Sequence, residues 1–395
     1  MREILQRGFG WSLALLVALA LGHGEQGKGA HAHGEGIFHR LAVADAREPL
    51  VRVLDEGGKE LARFTVPAPD TRFYPLPGGQ YVLMVHREAD AVGFLFGGFR
   101  LEDHGDHQDL KREIPYVAAT LRTGPKPTHV AMDERHLAVF HDGDGSVVLF
   151  DLRRLGVDFA SRLVATGGAD HGALVLFGDV LLVGGLERGQ VEAYTLEGRR
   201  ILTLPQACPR LHGQAVLGQV AAFGCADGVL LVERRGQGLQ GRKVANPPRT
   251  PQESRVGTLV AHPQHPFFVG NFGQGLAWVY PKEGRLEPLP LPSRPMHFGF
   301  DPEGEALLVL TQDGRLHKLD PPSGRVLGSL EAISPWAQGN PRPGLAIGHG
   351  VVYLSDPLRG EVVKVDPKAW RVEARHGVGG APSSLALFEV EGVEH

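Results

Sequence analysis

The stretch PTHVAM, residues 127–132, has counterparts of the same pattern at ADHGALV (169–175), RLHGQAV (210–216) and PMHFGF (295–300). In each, one histidine stands at the start of a short apolar run: His129, His171, His212 and His297. The spacings are 42, 41 and 85 residues, and the last is close to twice the first. Each histidine precedes a short strand, and that strand precedes a second one ending in a turn. A repeat of ~40–45 residues with about four strands per unit is the signature of a β-propeller blade.

The rest of the chain fits this repeat. Runs such as VVLFDL, ALVLFGDVLLVGG, ALLVLTQ and VVYLSD alternate or are wholly apolar, and turn sequences such as DGDG (142–145), QDG (312–314) and DPPSG (320–324) separate them. Helical periodicity is nearly absent, so the chain reads as all-β. The repeat places units near 71–121, 127–165, 171–204, 212–250, 257–289, 297–330 and 344–375. Strands near 39–66 then need a partner, and PSSLALF (382–388) reads as an innermost strand with nothing after it. Pairing the two ends completes a blade and closes the ring, which removes an exposed edge. Eight blades result, or seven if a unit near 212–250 or 257–289 is irregular.

The N-terminus reads as a signal peptide over 1–20. Arg2 and Arg7 precede an apolar run too short to span a bilayer, and Ala18-Leu19-Ala20 is a small-x-small cleavage signal. The mature protein is therefore expected in the periplasm, without membrane insertion. A net charge of −4 with mixed signs argues against a nucleic-acid partner. Residues 21–37 are rich in Gly and polar groups and read as a flexible arm whose His23, His31 and His33 capture metal transiently. Residues 38–395 then form a single propeller domain. Export permits a disulfide, and Cys208 and Cys225 flank two runs around a turn near Leu217-Gly218, which sets them opposite one another as a structural bond.

Within the first unit, LEDHGDHQDL (101–110) belongs to an insertion near 101–114. His104 and His107 form a compact chelating pair. Residues of equal repeat phase share one height around a propeller channel, so His129 and His171, on adjacent blades, are expected to face the same mouth. If the insertion folds over that mouth, His104, His107 and His129 supply three zinc ligands, with His171, or one of Asp103 and Asp106, as a fourth. Glu102, Asp103, Asp106 and Asp109 are candidate acceptors for the ring N–H groups. His212 and His297 are read equally well as polar lining of a wet channel. Ligands must be deprotonated, so zinc release is expected as pH falls through the histidine range.

EDHGDH, KPTHV with FHDGDGSVVLF, and the LHG…FGCADG stretch together resemble the periplasmic zinc metallochaperones called AztD, which serve a zinc ABC transporter. The resemblance implies a zinc-binding propeller that passes its metal to the transporter's solute-binding protein, with His104, His107 and His129 at motif positions. The chain is expected to be a monomeric carrier and not an enzyme, and no HExxH or GxSxG motif is present. The alternatives are a copper- or zinc-dependent propeller metalloenzyme, or a metal-free interaction scaffold.

Overall fold

The computed structural model describes residues 34–105, 107–236 and 238–394. The signal peptide, the greater part of the arm with His23, His31 and His33, and Asp106 lie outside the described residues. The first strand, Gly34–Asp45, begins inside the stretch read as an arm.

Alternation and turn chemistry produce eight sheets arranged as blades. Blade 1 uses residues 72–122, and blades 2 to 7 use 127–164, 172–203, 214–245, 256–289, 295–331 and 345–377. Each is an antiparallel four-stranded meander, innermost strand first. In blade 3, Gly172–Phe177 and Val180–Gly185 are buried throughout. The turn between them needs Gly178, whose φ of 65° lies in the left-handed region that glycine adopts without steric cost. The two 3₁₀ turns, Arg87–Ala89 and Leu152–Arg154, are the helical segments among the described residues, and no helix there is long and apolar enough to cross a membrane.

Blade 8 is made from both ends of the chain. Pro382–Glu394 is its innermost strand, followed outward by Gly34–Asp45, Leu50–Leu54 and Glu60–Thr65. The two terminal strands pair antiparallel from Gly34↔Glu394 to Asp45↔Pro382. The eight-bladed reading and the closure by terminal strands therefore hold, and the seven-bladed alternative does not.

The core is distributed over the seams between blades. Val85, Phe94, Val139 and Phe150 join blades 1 and 2, Phe140, Leu174 and Tyr194 join blades 2 and 3, and Met84, Leu95 and Phe388 join blades 8 and 1. Every seam has such a cluster. Second and third strands are buried on both faces because a neighbouring blade covers each side. Their sequences therefore read as continuous apolar runs instead of alternating ones.

Cys208 and Cys225 are disulfide-bonded. The bond is as expected, but its setting differs. Cys225 ends the strand Val220–Cys225, whereas Cys208 lies in the loop before Gln214–Leu217. It ties the crossover from blade 3 to the second strand of blade 4.

Candidate metal centre

The innermost strands all start at one mouth of the channel, here termed the upper mouth. Pro127–Met132 begins with a bulge between Pro127 and His129. The strand Pro295–Phe300 begins with the same irregularity between Pro295 and His297. A bulge adds one residue to the strand and re-aims the side chain beside it. His171 directly precedes the innermost strand of blade 3, and His212 stands one residue further back from that of blade 4.

Equal phase on adjacent blades brings three imidazoles together. One ring nitrogen from each of His129, His171 and His212 lies within 4.8 Å of the other two, the one such trio of metal-ligating side chains among the described residues. His129 Nε2 and His171 Nε2 are 3.1 Å apart, close to the roughly 3.3 Å edge of a tetrahedron with ~2.0 Å zinc–nitrogen bonds. His171 donates from Nδ1 to Asp142 Oδ2 at 2.8 Å, and His212 donates from Nδ1 to the carbonyl of Gly257. Both partners set the tautomer that leaves an Nε2 lone pair for a metal.

The electrostatics favour the neutral ring at His129 and at His212. Burial, reinforced by the neighbouring His171 and His212, lowers the pKa of His129 to about 3. Burial also lowers that of His212, against the pull of the Gly257 carbonyl. Burial pushes the Asp142 carboxyl up, but hydrogen bonds from His171, Arg87 and Thr128 outweigh it and leave the group below its ordinary value. Arg87 Nη2 donates to the same Asp142 oxygen at 3.2 Å. Asp142 is thus an ionised acceptor that orients His171. Asp142→Ala is expected to weaken zinc binding by about 10–100-fold, the usual cost of losing such an outer partner. Competition against a chromophoric zinc chelator measures it.

The lid expected over this mouth is not what the fold builds. His104 and His107 sit at the turn of a hairpin, Phe99–Asp103 with Gln108–Arg112, inserted between the third and fourth strands of blade 1. That hairpin joins the far end of Pro382–Glu394 through Val393 and Asp109, and Arg112 pairs with Glu394 at 2.6 Å. The upper-mouth end of the same strand is fixed by Ser384, whose Oγ accepts from the Phe73 backbone N–H. About nine residues at ~3.3 Å each put the two ends roughly 30 Å apart. The hairpin therefore belongs to the lower mouth, and His104 and His107 do not meet His129 or His171.

At the lower mouth the pair is organised by one carboxylate. His104 Nε2 lies 3.2 Å from Asp109 Oδ2 and His107 Nε2 lies 3.0 Å from Asp109 Oδ1. The two rings stack with centroids 5.5 Å apart. Of the other expected acceptors, Glu102 is taken by Lys111, and Asp103 accepts from the Gly105 N–H. A second cluster lies towards the same end. Glu389 accepts from His39 at 2.8 Å and from His349 at 2.5 Å. Burial opposes its charge, yet these bonds hold its pKa at about 2. Nothing in the repeat phase points to His39 or His349. Asp142 was equally hidden, because it serves a histidine on the next blade.

His297 shares the phase of His129 but not its site. Each of eight blades takes about 45° of the ring, so blade 6 stands across the channel from blade 2. The upper mouth has two halves, with imidazoles on blades 2 to 4 and a different lining opposite.

No family model matches the chain. The zinc chaperone AztD of Citrobacter koseri is 26% identical over 372 residues, which cover 90% of this chain and 88% of that protein. The structure of apo AztD from Citrobacter koseri superposes with a TM-score of 0.81 at 25% identity, covering 91% of this chain and all of the other. Dihydro-heme d1 dehydrogenase NirN shares the fold alone, with a TM-score of 0.63 at 14% identity over 88% of this chain and 74% of its own. In both sequence and fold, then, this eight-bladed propeller is similar to the zinc chaperone AztD along nine-tenths of its length.

Proposed function

We propose that the protein is a periplasmic zinc chaperone that holds one ion at the upper mouth on His129, His171 and His212. The convergence of three imidazoles, with Asp142 and the Gly257 carbonyl fixing two of them, carries this reading. Three nitrogen ligands leave one tetrahedral position open. An incoming ligand from a zinc solute-binding protein of an ABC transporter takes that position and draws the ion away by ligand exchange. Zinc fits better than copper(I), because the trio offers no thiolate or thioether.

His104 and His107 form a separate and weaker capture pair at the lower mouth, and His23, His31 and His33 act as a capture arm. Untagged protein loaded with zinc and passed through a desalting column is expected to retain one equivalent by elemental analysis. His104→Ala with His107→Ala should leave that equivalent in place and remove weaker binding seen before desalting. Loss of the retained equivalent in this double variant would reassign the tight site to the hairpin.

A further inference from the structure

The upper mouth from blade 6 round to blade 1 is arginine-rich, and at blade 1 it borders the cavity of the imidazole trio. A cavity of about 220 Å³ there is lined by Arg72, Arg342, His297 and Ser384 over a floor of Pro343 and Gly344. Asp70 also lines it, yet among the described residues no carboxylate comes within ion-pair distance of Arg72, Arg294 or Arg342. The Arg342 guanidinium lies 5.5 Å over the Trp336 ring, which steadies it from one side. Burial, and then the charges of Arg72 and Arg294, lower the pKa of Arg342. Two like charges, Arg72 and Arg342, therefore share one cavity, with Arg294 near enough to act on Arg342, and an anion between them relieves their repulsion.

His297 adds a specific feature. Its Nε2 is buried without a hydrogen-bond partner. In a neutral imidazole one ring nitrogen carries the proton and the other keeps a lone pair, so with its proton on Nδ1 the buried Nε2 is an acceptor. The neighbouring guanidinium charges disfavour a metal cation here, while the lone pair accepts a hydrogen bond from a hydroxyl. The site thus offers two or three charged donors and one buried acceptor.

We propose that this cavity binds a small oxyanion that also carries a hydroxyl donor, either a hydroxycarboxylate or hydrogen phosphate. Its carboxylate or phosphate oxygens take Arg72 and Arg342, and its O–H meets His297 Nε2. This goes beyond the zinc reading and does not depend on it, since none of these groups is a ligand of the trio, although Arg72 also lines the trio's cavity.

Calorimetric titration of metal-free full-length protein at low ionic strength with malate, succinate and inorganic phosphate tests the proposal. Malate or phosphate is expected to bind, and succinate, which lacks the hydroxyl, to bind more weakly than malate. Arg342→Ala and Arg72→Ala should each weaken binding by roughly ten- to a hundredfold, the cost of a charged hydrogen bond. His297→Phe should erase the preference for malate over succinate while leaving an arginine-dependent remainder. His129→Ala should change none of this, which separates the result from the fate of the zinc site. Absence of binding by malate and phosphate at millimolar concentration overturns the proposal. So does binding that survives both arginine substitutions, or a malate preference that survives His297→Phe.

Discussion

His129→Ala combined with His171→Ala is expected to abolish tight zinc retention, lowering affinity on the order of 10³-fold or more. Loss of an outer-shell partner alone costs about 10–100-fold, and this pair removes two of the three inner ligands. Both side chains line the channel cavity rather than an inter-blade seam, so the thermal transition of the metal-free protein should stay nearly unchanged. Chelator competition together with a circular-dichroism melt checks both points. An unchanged zinc affinity would end the case for the trio.

The pH dependence follows from the same residues. With burial holding His129 at about 3 and lowering His212, protons compete with zinc well below the ordinary imidazole pKa of ~6.5. Zinc should be retained while pH falls through the usual histidine range, contrary to the expectation drawn from composition alone. In the metal-free protein the sign is fixed by linkage. The unfolded chain takes up these protons below ~6.5 while the folded chain refuses them, so stability falls as pH drops from that value towards the folded pKa.

Deleting residues 34–66 is expected to destroy cooperative folding. The deletion strips Pro382–Glu394 of its three blade partners and exposes Leu385, Phe388 and Val390, all buried in the intact ring. It also removes Leu41, Val43, Val51 and Val53, which are fully or almost fully buried, each contributing about 1.5–3 kcal/mol by burial. Such losses exceed the ~5–15 kcal/mol margin of a typical domain once several are summed. The expected observation is insoluble protein without a thermal transition. A circular permutant that begins near residue 67 and joins Glu394 to Gly34 through a short turn should fold, because those two residues are paired neighbours at the end of an antiparallel ladder. Failure of the permutant alongside failure of the deletion would show that closure by these strands is not the cause.

The parts of the site that could be read from sequence were those that repeat. His129 and His171 announce themselves by equal spacing on adjacent blades, and equal spacing in a ring means equal height; His212 shares the spacing but reads equally well as channel lining, and the fold adds it to the site. What could not be read was angular position and loop direction. His297 has the same phase and even the same Pro-x-His bulge as His129, yet it stands on the far side of the channel among arginines. His104 and His107 lie about twenty residues before His129 in the chain, but their hairpin leaves blade 1 at the other mouth. Asp142 was invisible for a related reason: its partner is on the next blade, and no local pattern records contacts across a seam.

The sequence by itself determined the propeller, the boundaries of its blades and the use of both termini in the last one. Those follow from local signals, apolar runs and turn residues, repeated until the ring must close. Only the tertiary structure decided which histidines meet, because meeting depends on the sum of rotations between blades and on which end of a strand a loop leaves. Neither quantity is set by the residues near the histidines themselves. Three imidazoles converge because three successive blades carry them at one height, and the HxxH pair stands apart because a strand roughly 30 Å long lies between its mouth and theirs.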